Sequence, residues 1–213
     1  METLRSSVST LPMFLLIFLV IYRSPHNQLE ASSCLISLAQ GTLACLLADF
    51  AILQIEQSQR GFASPNTIFQ NTVLEFSIAY FLMDLLHYLI FFPSDILFIA
   101  HHLVTLFMFL TCKYMVFHGA FTLLVLLFLA EITSGCQNIW TLANACRVDV
   151  PTTTKLYELS SPPFYVIYYV VRGLMGPVFI YRMGIFYKSD PADNMIQRWL
   201  TVPGWLYLAF LVG

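Results

Sequence analysis

The feature that most constrains the fold of this chain is a series of apolar stretches close to the length that crosses a lipid bilayer. A spanning helix needs about 20 mostly apolar residues. Stretches approaching this length are predicted at residues 8–22, 31–55, 72–92, 96–114, 120–140, 163–186 and from 195 onwards. Lipid tails offer no hydrogen-bond partners to the backbone, whereas an α-helix forms its backbone hydrogen bonds internally. The sequence therefore predicts an all-α, polytopic transmembrane helical bundle of about seven spans.

The composition supports a membrane protein. Hydrophobic residues make up 58% of the chain and charged residues only 10%, whereas about a quarter of a soluble domain is charged. The formal net charge is -2 and no basic patch is present, which argues against a nucleic-acid partner. Because the apolar runs leave no polar block for a second core, we predict an amino-terminal transmembrane helix and loop at 1–29 and one membrane domain at 30–213.

The segment from Tyr80 to Thr105 is apolar enough for a bilayer, yet it contains several ionisable side chains. Such groups are costly at membrane depth and usually face an interior or a functional cavity. Tyr80, Asp84, His87 and Tyr88 have the spacing that places them on one helix face. Asp84 can hold the ring of His87 in one tautomer, or the two can form a purely structural polar pair; the sequence leaves both readings open.

Two consecutive histidines, His101 and His102, lie in the next predicted helix. Consecutive helical residues point about 100° apart, so both rings face the interior only if this helix is buried over a wide arc. Thr105 lies one turn after His101 and shares its face. A neutral imidazole can remove a proton or attack an acyl group, so we predict a functional role for this pair.

A polar stripe on the fifth predicted helix consists of Glu131, Ser134 and Asn138, and we expect it to turn toward the histidines. Arg172 is the basic residue deep inside the sixth predicted span. A charge at that depth requires a partner, and the candidates are Glu131, Asp84 and Asp49. Arg172 can serve as a structural counter-ion or as a substrate-binding group.

Other chemistries are not indicated. A zinc site built from His87, His101 and His102 is conceivable, but no HxxxH motif and no second tandem histidine occurs, and we predict no metal. No GxSxG, Walker or dinucleotide-binding motif is present, so nothing points to a serine hydrolase or a nucleotide enzyme. We expect no cofactor.

Together these motifs resemble the TLC domain family of membrane proteins. The resemblance rests on His101-His102 with Thr105, on the Glu131 to Ser134 segment leading to Asn138 and Trp140, and on Arg172 five residues before Pro177. It covers roughly residues 30–213 and implies a six-helix TLC core preceded by the amino-terminal helix. It also implies a lipid-related role in the endoplasmic reticulum or a related membrane.

The branch of the family matters for the chemistry. Ceramide synthases transfer an acyl group from acyl-CoA to a sphingoid amine, and their tandem histidine matches His101 and His102. They also have His-Asp and Ser-Asp pairs on the next helix, where this chain has Leu129-Ala130-Glu131-Ile-Thr-Ser134. In this respect the chain is more similar to the small TLC-domain proteins, which are implicated in membrane lipid composition or trafficking.

We therefore expect a membrane protein of lipid homeostasis that binds a lipid in a polar intramembrane cavity. The cavity is predicted to involve Tyr80, His87, Tyr88, Thr105, Glu131, Ser134, Asn138 and Arg172. The alternative is an acyltransferase that uses His101, His102 and Asp84, with acyl-CoA as co-substrate; a proton-coupled transporter is a further alternative. The expected partners are membrane lipids, and the sequence does not determine the oligomeric state.

Overall fold

The computed structural model describes residues 29–56, 60–146 and 151–188, and the regular elements within them are helices. Two π-helical turns adjoin α-helices: Cys112–Val116 follows the helix Ile96–Thr111, and Val171–Met175 joins the helices Pro151–Val170 and Gly176–Tyr187. The predicted spans at 8–22 and from 195 onwards lie outside the described residues. The α-helices are α1 (Leu29–Leu53), α2 (Ile68–Phe91), α3 (Ile96–Thr111), α4 (Ala120–Cys146), α5 (Pro151–Val170) and α6 (Gly176–Tyr187).

Four helical segments are long and apolar enough to cross a membrane. α1 adds a shorter apolar stretch, Gly41–Leu53. Large apolar side chains such as Leu103 and Tyr169 are exposed on the outer faces, as expected for helices that contact lipid rather than water. The predicted all-α, polytopic membrane bundle is confirmed. The segments are Ile68–Phe91, Ile96–Val116, Ala120–Asn144 and Thr152–Tyr187.

The core is built around the contact between α1 and α4, the most extensive helix pair in the described part of the chain. α1 presents small buried residues to this contact, including Gly41, Ala44 and Ala48. Small side chains let membrane helices approach closely. Leu124 of α4 is fully buried in the same cluster. One face of the predicted second span therefore packs into the bundle, where it contacts residues of α4.

α2 and α3 form a helical hairpin. α2 begins with a capping box, in which Thr67 and Gln70 exchange side chain-to-backbone hydrogen bonds. The Phe92-Pro93-Ser94-Asp95 sequence favours a tight turn, and α3 packs back against α2. Aspartate commonly caps a helix by accepting from unpaired backbone N–H groups, so the sequence favours a capping role for the Asp95 carboxylate. Asp95 does occupy the N-cap position, but its exposed side chain makes no capping hydrogen bond.

The turn between α3 and α4 is tied to the loop before α2. Phe117 and Gly119 have positive φ angles of 61° and 88°, so the chain reverses through a left-handed turn. The Asn66 side chain donates to the carbonyl of Cys112 at 3.1 Å and accepts from the backbone N–H of Ala120 at 2.9 Å. One asparagine thus joins three segments at this end of the bundle.

The α4–α5 connection is shorter than the sequence predicted. We expected a loop at 141–158 and a sixth helix starting at Pro163, but α4 continues to Cys146 and α5 begins at Pro151. Pro162 and Pro163 lie inside α5. Nearby hydroxyl groups bond to the helix backbone, as Ser161 does to the carbonyl of Tyr157 at 2.7 Å. Polar residues before the apolar stretch extend the helix beyond the span, which a hydropathy-based boundary does not detect.

A proline inside a helix favours a kink or another irregularity, and the π-helical turn Val171–Met175 lies just before Pro177. Pro177 has no N–H, so the regular α-helical bonding pattern cannot pass through it. The N–H of Gly176 instead bonds to the carbonyl of Val171, five residues back. π-helical turns inside α-helices frequently lie at functional sites, and this one contains Arg172.

Candidate functional site

A cavity of about 140 Å³ lies between α3, α4 and the α5–α6 junction and is partly open to the outside. Most of its wall is apolar. The polar residues of the wall come from three separate elements, which the fold brings together at this one place. The polar wall residues are His101, Thr105, Glu131, Ser134 and Arg172, and apolar wall residues include Phe81, Phe109, Leu127 and Val171.

His102 is buried beside this cavity and does not line it. Its Nδ1 lies 2.7 Å from the carbonyl oxygen of Phe98, and its Nε2 lies 2.7 Å from Oδ2 of Asp84. A carbonyl oxygen can only accept, so Nδ1 must donate. The bond to Asp84 then requires a second proton, on Nε2 or on the carboxyl group, because a neutral imidazole has only one N–H. In this arrangement no ring nitrogen of His102 is available as a base or a nucleophile.

His101 borders the cavity together with Thr105, one turn further along α3. Its ring packs edge-on against His102, with centroids 5.2 Å apart, and lies 6.3 Å from the ring of Phe81. The Thr105 hydroxyl donates to the carbonyl of His101 at 2.9 Å. The structure therefore separates the two histidines, with His101 at the cavity wall and His102 in the packing behind it.

Glu131 is the acidic residue of the described cavity wall and is deeply buried, with only 6% of the residue exposed. Its Oε2 lies so close to Gly41 of α1 that a Cβ atom at that position would overlap it. Within the described part of the chain, no hydrogen bond or ion pair is found for this carboxylate. An acid that is buried against one helix and lacks a partner is costly, which marks Glu131 as a functional candidate.

Arg172 is held by a hydroxyl group, although we expected a carboxylate. Its Nε donates to Oγ1 of Thr133 at 3.0 Å, and that hydroxyl donates in turn to the carbonyl of Ala130 at 2.7 Å. Among the described residues, neither Glu131, Asp84 nor Asp49 lies within ion-pairing distance of the guanidinium. The expectation that one of these three carboxylates pairs directly with Arg172 was therefore wrong. The π-helical turn places Arg172 at the cavity wall, and Thr133 fixes its orientation.

The remaining predicted residues occupy different surroundings. Tyr80 packs against Phe81, with centroids 4.9 Å apart, and Tyr88 stacks on Phe98 at 5.1 Å. His87 packs among the aromatic rings at the end of α2, 5.1 Å from Phe91. Tyr80, His87, Tyr88 and Asn138 do not border the cavity, whereas Ser134 does and bonds back to the carbonyl of Ala130 at 3.0 Å.

Two residues at the site were missed by the sequence analysis. Thr133 is fully buried and orients Arg172, but it resembles any threonine in an apolar helix. Gly41 contacts Glu131 from α1, and the only signal was its place in a run of small residues. Both roles depend on which helices pack together, which the sequence did not reveal.

A second charged pair lies outside the cavity. The Lys113 ammonium forms an ion pair with Glu75, and both side chains are buried, at 5% and 8% exposure. This pair links the π-helical end of α3 to α2. The described residues contain no group of three or more His, Cys, Asp or Glu side chains arranged to hold a metal ion.

Comparison with known proteins gives the family. The TLC domain family matches residues 2–213 of the chain. A TLC domain-containing protein of Arabidopsis thaliana is 49% identical over 219 residues, which cover 97% of this chain and 84% of that relative. No solved structure matches the sequence significantly. Together with the apolar helices, these similarities show that the chain is a multi-pass membrane protein that belongs to the TLC domain family.

Proposed function

We propose that this protein acts in membrane lipid homeostasis by binding a lipid in the cavity between α3, α4 and the α5–α6 junction. The observation that carries the proposal is the composition of that wall. Most of it is apolar, which suits an acyl chain, while a small group of polar side chains is available to a headgroup. Mostly apolar cavities with a few placed polar groups are typical of small-molecule sites.

The size of the cavity limits what it can enclose. An engineered apolar cavity of about 150 Å³ binds benzene, and the present cavity is of similar volume at about 140 Å³. It can therefore hold one headgroup or a short length of chain. Because one side is open, the rest of the lipid can extend along the outer surface of the bundle.

A cavity-filling substitution tests this proposal. Ala130 lines the cavity, whereas Ala100 is exposed on α3. The protein is purified in mild detergent, and retained lipids are identified by native mass spectrometry. We expect Ala130→Phe to lose the bound lipid and the matched control Ala100→Phe to retain it. Equal lipid retention in the two variants would rule out this cavity as the lipid site.

A second candidate function is acyl transfer, and the position of His101 favours it. His101 borders the cavity, while His102 is held behind it by Asp84 and the Phe98 carbonyl. The His101 imidazole would remove a proton from the acceptor amine or hydroxyl as that group attacks the acyl-CoA thioester, with coenzyme A leaving as the thiol. His102 and Asp84 would then position His101.

Acyl-CoA consumption with amine and lysophospholipid acceptors tests the second candidate. Turnover lost in His101→Asn but kept in His87→Asn, a histidine away from the cavity, would support it. Lipid binding without turnover across the acceptor panel would contradict it and favour lipid binding alone.

The proposed location is the endoplasmic reticulum, and imaging of a tagged full-length chain beside organelle markers tests that location.

A further inference from the structure

Two opposite charges, Glu131 and Arg172, border the same cavity without forming an ion pair. We propose that they select a lipid with an uncharged headgroup, one that donates a hydrogen bond to Glu131 and accepts one from Arg172. A hydroxyl next to an ester or amide carbonyl has this chemistry. The inference rests on the proposed lipid-binding function and specifies the class of ligand.

The Glu131 carboxylate has little freedom to move away from the cavity. α1 closes one side of it, because no atom beyond the hydrogens of Gly41 fits there. The residue is 6% exposed, and the described residues provide no donor to its oxygens. Ionised carboxylates accept hydrogen bonds and cannot donate them. A ligand in the cavity that carries an O–H or N–H group would supply the missing donor.

Arg172 presents the complementary chemistry. A guanidinium has five N–H donors, and the bond from Nε to Thr133 uses only one of them. The Tyr168 ring lies 5.9 Å from the guanidinium carbon and covers part of the group. Because Thr133 anchors Nε, the side chain stays at the wall. A ligand carbonyl or ether oxygen can accept from the remaining N–H groups.

The balance of charge argues for an uncharged headgroup. Glu131 interacts electrostatically with Arg172, Asp84 and His102, and with Cys45 of α1. The additional proton held between Asp84 and His102 makes that pair neutral overall. Glu131 and Arg172 then cancel each other. A headgroup with a net charge would leave one charge unbalanced in a medium of low polarity, which is unfavourable.

Probes that share one acyl chain test the selectivity. Full-length protein is titrated with monooleoylglycerol, oleate, oleylamine and oleoyl lysophosphatidylethanolamine, and bound lipid is measured by native mass spectrometry. We expect the neutral monooleoylglycerol to bind about tenfold or more tighter than either singly charged probe. Wild-type protein that binds oleate, oleylamine or the zwitterionic lipid as tightly as monooleoylglycerol would overturn the inference.

Charge-removing variants should raise the affinity for oleate in one case and for oleylamine in the other. Glu131→Gln leaves the Arg172 charge unbalanced, so oleate should gain about tenfold in affinity. Arg172→Gln leaves the Glu131 charge, so oleylamine should gain by a similar factor. The exposed residues Glu158 and Arg182 supply matched controls, Glu158→Gln and Arg182→Gln, which should change neither affinity.

The outcomes separate the inference from the function on which it rests. If Ala130→Phe fails to reduce binding of all probes, the proposed cavity function fails. If Ala130→Phe blocks binding but Glu131→Gln leaves the affinity for oleate relative to monooleoylglycerol unchanged, the lipid site stands and the headgroup inference is wrong. If Arg172→Gln does not fold, Glu131→Gln decides alone.

Discussion

The end of the bundle around Asn66 and the cavity around Glu131 both bury polar side chains, but they satisfy them differently. At the Asn66 end, polar groups bond to other parts of the protein: the hydroxyls of Thr122 and Tyr187 both donate to the carbonyl of Phe62, at 3.0 and 2.9 Å. Lys113 and Glu75 likewise form a closed pair nearby. At the cavity, Glu131 has no such bond within the described residues.

The difference separates polar groups that hold the fold together from polar groups that serve a ligand. Buried polar groups are almost always hydrogen-bonded in native proteins, and an exception requires an explanation. Local departures from good packing and bonding are expected at functional sites. The polar groups at the Asn66 end follow this rule, so substituting them should destabilise the fold. Glu131 at the cavity does not follow this rule, so the protein should stay stable when the Glu131 charge is removed.

The largest expected effect comes from breaking the buried ion pair. Lys113→Met should lower the free energy of unfolding by about 3 kcal/mol, because it leaves Glu75 charged and buried. Thermal unfolding in detergent measures the loss. The exposed Lys155 supplies the control Lys155→Met, which should change stability by less than about 0.5 kcal/mol.

A double variant sharpens this prediction. The double variant Lys113→Met/Glu75→Met should recover much of the stability that the single variant loses, because it removes both buried charges. If Lys113→Met alone is as stable as wild type, then water or lipid headgroups reach this pair. The Asn66 end would in that case not be the closed structural region described above.

Asn66 is the next test of the same region. Asn66→Ala removes the donor to the Cys112 carbonyl and the acceptor for the Ala120 N–H. The Cys112 carbonyl keeps its bond from the Phe117 N–H, whereas the Ala120 N–H loses its acceptor. The loss of both Asn66 bonds should cost about 2 kcal/mol. Limited proteolysis between α3 and α4 should become faster in step with the loss of thermal stability. A variant of unchanged stability and protease resistance would show that the turn is held by its backbone alone.

The sequence located the membrane-spanning helices well, but it did not identify which side chains contact one another between helices. The apolar runs correctly located α1, α2, α3 and α4, because lipid demands long apolar helices. The start of α5 was missed, since a helix can continue through polar residues outside the apolar stretch. The contacts of Arg172 with Thr133 and of Glu131 with Gly41 arise from helix packing. Side-chain spacing along one helix carries no information about which residue of another helix faces it.

The contact between Gly41 and Glu131 can be tested by adding one methyl group. Gly41→Ala should lower stability by about 1 kcal/mol, because the overlap with Oε2 outweighs the gain in helix propensity. In a Glu131→Ala background the same substitution should raise stability by about 0.8 kcal/mol, since only the helix-propensity gain remains. A loss of equal size in both backgrounds would place the cause elsewhere on α1.

Glu131→Gln has the smallest expected effect on stability, and that effect is not a loss. It is the sharpest test of the difference between the Asn66 end and the cavity. Glu131→Gln keeps the size of the side chain and removes a buried charge that accepts no hydrogen bond from the described residues, although it also leaves Arg172 without the opposing charge. We therefore expect stability to be unchanged or raised by about 0.5 kcal/mol, measured by thermal unfolding of lipid-free protein. Retained lipid should change in identity, as native mass spectrometry can show. A loss as large as that of Lys113→Met would mean that Glu131 holds the fold together, and the distinction between the two regions would not hold.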